Sequence, residues 1–173
     1  MIIDLFEISD PVYDFKAELS PADIDLEEET ARLEKPVKIA GTLNKKIAQV
    51  DVSGKITAEI EIDCTRCLTQ AQTALDFPFN VVYVTGENYT QDEEAELRAE
   101  DLDVAVFEGD KIDLSELARE QILLNLPTRF LCRENCPGLC PKCGANRNAV
   151  NCGCEEKELD PRWQGLRELN IKN

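Results

Sequence analysis

The sequence predicts an α+β fold: a mostly antiparallel β-sheet with a long hairpin and one covering helix, followed by a small C-terminal Cys-rich module. Three observations support this prediction: a long stretch of alternating apolar and polar residues, one capped amphipathic helix, and six cysteines crowded between Cys132 and Cys154. We expect an α+β domain over 1–127, the Cys-rich module over 128–155, and a tail with a short helix over 156–173.

Two strands are predicted before the hairpin. Apolar residues alternate with charged ones from Tyr13 to Leu19, which is typical of a half-buried strand. The polar stretch 20–36 contains two prolines and predicts a loop with a short helix. Alternation resumes from Val37 to Leu43, and Asn44-Lys45-Lys46 predicts a turn after this second strand.

The hairpin has the clearest pattern in the chain. Every even position from Val50 to Cys64 is apolar or glycine, while the odd positions between them are polar or charged. After Cys67 the apolar residues move to odd positions and continue to Tyr83. A period of two indicates one buried and one solvated face, so we expect a long antiparallel hairpin with Cys64-Thr65-Arg66-Cys67 at its tip. Pro78 cannot donate to a ladder and is expected at an edge or bulge.

The segment 86–110 has a different composition. It holds ten acidic residues and a single basic one, Arg98, which predicts a loop or weak helix. We expect Val104–Phe107 to return to the sheet.

Two helices are predicted after this segment. Asp113 is a favourable N-cap, Glu116 completes a capping-box-like pair, and Pro127 ends the helix, which we place at 113–125. In the tail, Asp160-Pro161-Arg162-Trp163 combines a cap with proline at the first helical position.

Composition excludes several classes of function. The chain has 173 residues, no histidine and a formal net charge of −16, so Ser-His-Asp and Cys-His catalysis and His-ligated zinc hydrolases are excluded. Such an acidic protein is not a general phosphate binder, and its surface suits a basic partner or simply keeps the protein soluble. The N-terminus has no basic region or cleavage site typical of a signal peptide, and no apolar run is long enough to cross a bilayer.

The cysteines between 132 and 154 predict a structural zinc site. Cys140-Pro141-Lys142-Cys143-Gly144 has the form of a zinc knuckle, in which glycine permits the turn that directs amides at the sulfurs. Four thiolates leave no open position for a substrate water. The predicted ligands are Cys132, Cys136, Cys140 and Cys143, with Cys152 and Cys154 as alternatives. Disulfides and an iron–sulfur cluster are the competing interpretations, against which stand the absence of a secretion signal and the unmatched ferredoxin spacings.

Cys64 and Cys67 leave more interpretations open. The pair could be buried small apolar residues, metal ligands shared with the distal cysteines or a second subunit, a redox pair, or a partner contact. A redox pair is disfavoured because the predicted hairpin tip is not a helix N-terminus.

The Cys-rich module is locally basic. Between Thr128 and Arg147 the basic residues are Arg129, Arg133, Lys142 and Arg147, against one acidic residue, Glu134. Such residues contact nucleic acid in many zinc knuckles and ribbons, but they also balance the −2 charge of zinc held by four thiolates.

Four motifs together resemble the YceD-type large ribosomal RNA subunit accumulation proteins. They are Ile62-Asp63-Cys64-Thr65-Arg66-Cys67-Leu68 at the hairpin tip, the stretch from Ile112 to Pro127, the stretch from Cys132 to Gly144, and Asp160-Pro161-Arg162-Trp163. The similarity runs from about residue 37 to 169. It departs at Asn135, where aspartate is usual, which changes charge but not ligation.

The resemblance implies a cytoplasmic bacterial protein that supports accumulation or processing of large-subunit ribosomal RNA and ribosome assembly, without catalysis. The expected partner is the ribosomal RNA precursor or a basic ribosomal protein, with no membrane and no small-molecule substrate. Candidate contacts are Cys64, Arg66, Cys67, Arg133, Lys142 and Arg147. The alternatives are a thiol-based redox protein or metallochaperone, and a transcription-associated zinc-ribbon adaptor.

Overall fold

A long antiparallel hairpin forms the centre of the fold. In the computed structural model, which describes residues 1–47, 49–85, 104–107 and 110–154, strand β5 (Gln49–Asp63) pairs with β6 (Gln70–Thr85). The register runs unbroken from Gln49 opposite Val84 to Asp63 opposite Gln70. The even positions of β5 are buried apart from the half-buried Gly54, as are Phe77, Phe79, Val81 and Tyr83 on β6. The predicted hairpin and its buried face are therefore confirmed.

Among the described residues, six further strands belong to the two sheets of the fold. Strand β2 (Val12–Leu19) pairs with β4 (Val37–Lys45), which pairs in turn with β5. The short strand β3 (Ala31–Leu33) also pairs with β5. All these pairings are antiparallel, whereas β7 (Val104–Phe107) lies parallel to the end of β6. Pro78 lies outside the part of β6 that pairs with β7, so it occupies an edge as expected.

The helix and a two-stranded sheet lie next to each other in the chain. Strand β1 (Ile2–Asp4) pairs antiparallel with β8 (Lys111–Asp113), and helix α1 (Leu114–Leu124) starts at the next residue. The Asp113 side chain caps the helix by accepting from the Ser115 amide at 2.8 Å, rather than from Glu116. The predicted helix is confirmed to within one residue at each end.

One hydrophobic core joins the sheet to the helix. The buried face of β5 packs in the same cluster as the helix residues Leu114, Leu117, Ala118 and Ile122. A separate small cluster surrounds the hairpin tip and contains Cys64, Cys67 and Cys136 with the partly buried Leu131, Cys132 and Leu139.

The short elements were not all predicted. The stretch 20–36 contains a 3₁₀ turn at Pro21–Asp23, which corresponds to the expected short helix, but it also contains β3. Strands β1, β3 and β8 span only three residues each, which is too short for a period of two to be recognised. Their pairing partners are distant in sequence, so local pattern carries no information about them.

Several predictions fall on residues outside those described. They are the loop or weak helix predicted for the acidic stretch, of which 86–103 is not described, and the short tail helix predicted in 156–173 with its Asp160-Pro161-Arg162-Trp163 motif. The boundary between 1–127 and 128–155 also stays a prediction. Among the described residues, no helix has the length and apolar character that crossing a membrane requires.

Candidate functional site

The eight cysteines gather into two groups of four. The tip group consists of Cys64, Cys67, Cys132 and Cys136, and the distal group consists of Cys140, Cys143, Cys152 and Cys154. Within each group all four sulfur atoms lie within 4.8 Å of one another. Each group therefore offers four soft donors converging on one point, a donor set typical of zinc or iron.

The sulfur separations in the tip group fit a tetrahedral metal site. The Cys64 and Cys136 sulfurs are 3.8 Å apart, and the Cys67 and Cys132 sulfurs are 3.6 Å apart. Zinc–sulfur bonds of about 2.3 Å place the corners of a tetrahedron about 3.8 Å apart. A disulfide would need about 2.05 Å, and all eight cysteines are free thiols. The tip group thus fits a single ion coordinated by four sulfurs.

The two C-x-x-C turns have the same backbone geometry. In the first, the Cys64 amide donates to the Thr69 carbonyl at 3.0 Å and the Leu68 amide donates to the Cys64 carbonyl at 2.9 Å. In the second, the corresponding bonds run from Cys140 to Ala145 at 2.8 Å and from Gly144 to Cys140 at 2.9 Å. The hairpin tip is therefore folded as a second knuckle.

Backbone amides stabilise one thiolate in each knuckle. Burial raises the pKa of the Cys64 thiol, but hydrogen bonds from the amides of Cys132, Arg66 and Cys67 outweigh it and lower the pKa to about 6. Amides of Cys143 and Lys142 likewise lower the pKa of Cys140 to about 6. In the tip group, the Asn148 side-chain amide donates to the Cys136 sulfur at 3.2 Å and lowers its pKa.

One thiol in each group, Cys132 in the tip group and Cys154 in the distal group, has a raised pKa. Burial and hydrogen bonds with neighbouring sulfurs raise the pKa of Cys132 to about 12. Hydrogen bonds with the Cys143 and Cys152 sulfurs, together with burial, raise the pKa of Cys154 to about 12. Four thiolates this close repel one another. A bound divalent ion would attract all four, offset this repulsion and keep the sulfurs deprotonated. Each donor set could therefore hold a metal ion.

The two groups differ in their access to solvent. In the tip group Cys64 and Cys136 are 0% exposed and Cys67 is 4% exposed. In the distal group Cys140 is buried but Cys143 is exposed. A reagent in solution can thus reach the distal group through Cys143, whereas three cysteines of the tip group are buried and the fourth, Cys132, is half-buried.

Hydrogen bonds dock the hairpin tip onto the segment that follows α1. The Arg66 guanidinium donates to the Cys136 carbonyl at 2.8 Å, and the Arg66 carbonyl accepts from the Leu139 amide at 3.0 Å. On the other side of the turn, the Thr65 amide and hydroxyl both donate to the Phe130 carbonyl. The tip is therefore held on both sides of the tip group by contacts that need no metal.

Gly138 allows this close approach. Its φ is +76°, and a Cβ added there would lie 2.9 Å from the Arg66 carbonyl oxygen. A side chain at this position would clash with the hairpin tip and strain the backbone.

The grouping of the predicted ligands differs from the set expected from spacing. Cys132 and Cys136 gather with Cys64 and Cys67, while the alternatives Cys152 and Cys154 gather with Cys140 and Cys143. Sequence spacing does not tell how far the hairpin tip lies in space from Cys132 and Cys136. The signal available in the sequence was the repeated C-x-x-C at Cys64–Cys67 and Cys140–Cys143.

The residues predicted to contact RNA or a protein partner differ in their exposure to solvent. Arg66, Arg133 and Lys142 are exposed, as is Arg129, whereas Cys64 and Cys67 are buried. Arg147 is half-buried, and its amide donates to the Gly138 carbonyl at 3.0 Å. Among the described residues, no carboxylate pairs with Arg129, Arg133 or Lys142, whereas Lys35, Lys38, Lys46 and Lys55 on the sheet side all have acidic partners.

Comparison with known proteins identifies relatives of the chain. The model of the family described as "Large ribosomal RNA subunit accumulation protein YceD" matches residues 52–170. Rv2926c of Mycobacterium tuberculosis is 30% identical over 169 residues, 95% of this chain and 74% of the relative. YlbN of Bacillus subtilis is 27% identical over 135 residues, 78% of this chain and 74% of the relative.

A plant relative carries a functional name. The protein named "Large ribosomal RNA subunit accumulation protein YCED homolog 1, chloroplastic" from Arabidopsis thaliana is 25% identical over 155 residues, 78% of this chain and 48% of the relative. No solved structure matches the chain significantly. The family description names accumulation of an RNA and does not name a reaction.

Proposed function

Because the chain belongs to the YceD family of large ribosomal RNA subunit accumulation proteins, we propose that it supports large-subunit ribosomal RNA accumulation by binding the RNA precursor, without catalysing a reaction. We place this role in ribosome assembly in the bacterial cytoplasm. The proposed contact surface, called here the basic face, consists of Arg66, Arg129, Arg133 and Lys142.

The observation that carries this proposal is the unpaired positive charge on the basic face. Arg129, Arg133 and Lys142 are exposed and have no carboxylate partner among the described residues. Lys16 and Arg32 on the sheet are also exposed without a carboxylate partner among the described residues. What favours an anionic partner at the basic face is that three such cations lie between residues 129 and 142 in a chain of net charge −16. Arginine and lysine supply most of the affinity of proteins for nucleic acid, through phosphate contacts.

Zinc in the cysteine groups would have a structural part in this function. Bound by four thiolates, it has no open coordination position, so it would order the short segment without activating water. The half-buried Arg147 lies in the same Cys-rich segment, where its backbone amide donates a hydrogen bond to the Gly138 carbonyl. Zinc would therefore order the segment that carries the basic face. Part of the positive charge of the basic face would offset the −2 charge of zinc bound by four thiolates.

Crosslinking in cells, followed by identification of the bound RNA and protein, tests the proposal. The test variant carries Arg129→Glu, Arg133→Glu and Lys142→Glu. The control carries Lys16→Glu, Lys35→Glu and Lys38→Glu, which makes the same change in net charge on exposed positions of β2, β4 and their connection. We expect large-subunit RNA to crosslink to the parent and the control, and at least tenfold less to the test variant.

Two results would overturn the proposal. One is equal RNA recovery from the test variant and the control, provided that both remain folded. The other is recovery of a basic ribosomal protein as the direct crosslink, with RNA lost after nuclease treatment of the particles.

A further inference from the structure

We propose that the chain binds two zinc ions and that the ion in the tip group cross-links the β5–β6 hairpin to the segment that follows α1. The distal group would hold the second ion within a single stretch of chain. This inference concerns metal stoichiometry and tertiary structure, and it stands whether or not the chain binds RNA.

The first support is the convergence of sulfurs from distant parts of the sequence. Cys64 and Cys136 are separated by 72 residues in sequence, yet their sulfurs are 3.8 Å apart and both side chains are fully buried. Chance burial of small apolar residues does not require four sulfurs to surround one point. Together with the 3.6 Å separation between Cys67 and Cys132, this spacing matches a tetrahedral zinc–thiolate site.

The second support is the identical fold of the two turns that supply ligands. Leu68 has φ +58° and Gly144 has φ +73°, and both amides donate to the first cysteine of their turn at 2.9 Å. Leucine adopts this left-handed conformation only at a cost, because its Cβ crowds the backbone. The hairpin tip thus keeps the knuckle conformation although leucine, unlike Gly144, does not favour it.

The third support is a set of polar contacts that positions the tip-group sulfurs. Asn148, from the distal part of the chain, donates its side-chain amide to the Cys136 sulfur at 3.2 Å. Arg66 donates to the carbonyl of the same cysteine at 2.8 Å. Ligands of metal sites are commonly oriented by such surrounding hydrogen bonds.

A cross-link of this kind has a clear structural consequence. Strand β6, strand β7 and helix α1 all lie between the two halves of the tip group, so the ion closes a long loop of chain. Closing a long loop restricts the unfolded chain and thereby favours the folded state. The tip-group zinc would thus stabilise the sheet domain and the cysteine segment together.

Metal analysis of the full-length protein tests the stoichiometry. We expect two zinc ions per chain in the parent, one in the Cys64→Ser/Cys67→Ser variant and one in the Cys152→Ser/Cys154→Ser variant. Leu68→Gly is the control, because it alters the tip turn but keeps all eight sulfurs, and it should retain two. A parent with one ion, or a Cys64→Ser/Cys67→Ser variant that keeps the parent's metal content, would overturn the proposal.

A second measurement on the unaltered protein covers variants that fail to fold. Thiols are alkylated in the metal-bound protein and the modified residues are identified by mass spectrometry. We expect Cys64, Cys67, Cys132 and Cys136 to be protected until the metal is removed under denaturing conditions. Alkylation of Cys64 and Cys67 without loss of metal would overturn the proposal, and neither result depends on the RNA crosslinking described above.

Discussion

Leu68 and Gly144 occupy the same position in two equivalent turns, each directly after the second cysteine of a C-x-x-C pair, and both have a left-handed backbone with φ of +58° and +73°. Glycine adopts this conformation freely, whereas leucine does not. The Leu68 side chain is 64% exposed, so it gains little burial in exchange. The hairpin tip thus keeps a strained residue where the distal turn has an unstrained one.

Replacing Leu68 by glycine should therefore stabilise the protein. Removing the left-handed penalty contributes about 1 kcal/mol, less the entropy that glycine adds to the unfolded chain. Urea denaturation of the zinc-bound protein measures the change. Leu68→Val is the matched control, since a β-branched residue is worse in this conformation and should lower the free energy of unfolding. A glycine variant less stable than the valine variant would contradict this explanation.

Replacing Gly138 by alanine should loosen the docking of the hairpin tip. The new Cβ would lie 2.9 Å from the Arg66 carbonyl oxygen, in addition to the cost of a positive φ, so we expect a loss of about 2–3 kcal/mol. Gly153→Ala is the control, because its φ is +61° and a Cβ there meets nothing within 4 Å. Equal losses for the two variants, measured by urea denaturation, would show that the contact with Arg66 contributes nothing.

The four cysteines with strongly shifted pKa values should contribute most to the stability of the metal-free protein near pH 9. The pKa of Cys64 and Cys140 is lowered from 9.0 to about 6, so their stabilisation is complete above pH 9 and is lost as the pH falls from 9 through 6. The pKa of Cys132 and Cys154 is raised to about 12, so their stabilisation is complete below pH 9 and is lost as the pH rises through 12.

Urea denaturation across this pH range, with a chelator and a reductant present, tests the prediction. Cys64→Ser/Cys140→Ser should make the change between pH 6 and 9 smaller, with Cys136 supplying what remains of it, while leaving the decline above pH 9. A free energy of unfolding that does not change between pH 6 and 9 in the parent would contradict it.

The distal group should release its metal before the tip group does. Cys143 is exposed, whereas Cys64, Cys67 and Cys136 are buried, and reagents attack accessible thiolates first. A time course of alkylation in the presence of a chelator, followed by mass spectrometry, should modify Cys143 and its three partners early. Simultaneous modification of all eight cysteines would instead indicate that the protein opens as a unit.

Substitution of Arg66 should affect both the docking of the hairpin tip and the level of large-subunit RNA in cells. Its guanidinium bonds to the Cys136 carbonyl, yet the side chain is exposed and carries a charge that an RNA phosphate could meet. Arg66→Gln keeps a side-chain donor and removes the charge, whereas Arg66→Glu reverses it. If both variants keep their zinc, large-subunit RNA levels in cells should fall further with Arg66→Glu. Unchanged RNA levels with a folded Arg66→Glu variant would exclude an RNA contact at this position.

The long elements were predictable because their pattern is local. Fifteen residues of β5 repeat a period of two, and α1 is capped by Asp113 and ends before Pro127, so the chain near each element specifies it. Strand β7 was expected in the sheet, but its parallel direction was not, because direction depends on the route of the chain between residues 85 and 104. Strands β1 and β8 pair across more than a hundred residues, which no local pattern encodes.

For the cysteines, sequence alone determined the type of chemistry: eight cysteines and no histidine favour a metal site built from thiolates, and the spacing from Cys140 to Gly144 identified one knuckle. That the turn from Cys64 to Cys67 forms a second knuckle was decided by the structure. Only the tertiary structure decided which thiolates meet. Spacing restricts ligands within a few residues, but Cys64 and Cys67 reach Cys132 and Cys136 because the hairpin is long enough to carry its tip to the segment beyond α1. Hydrogen bonds from Thr65 and Arg66 then hold it there.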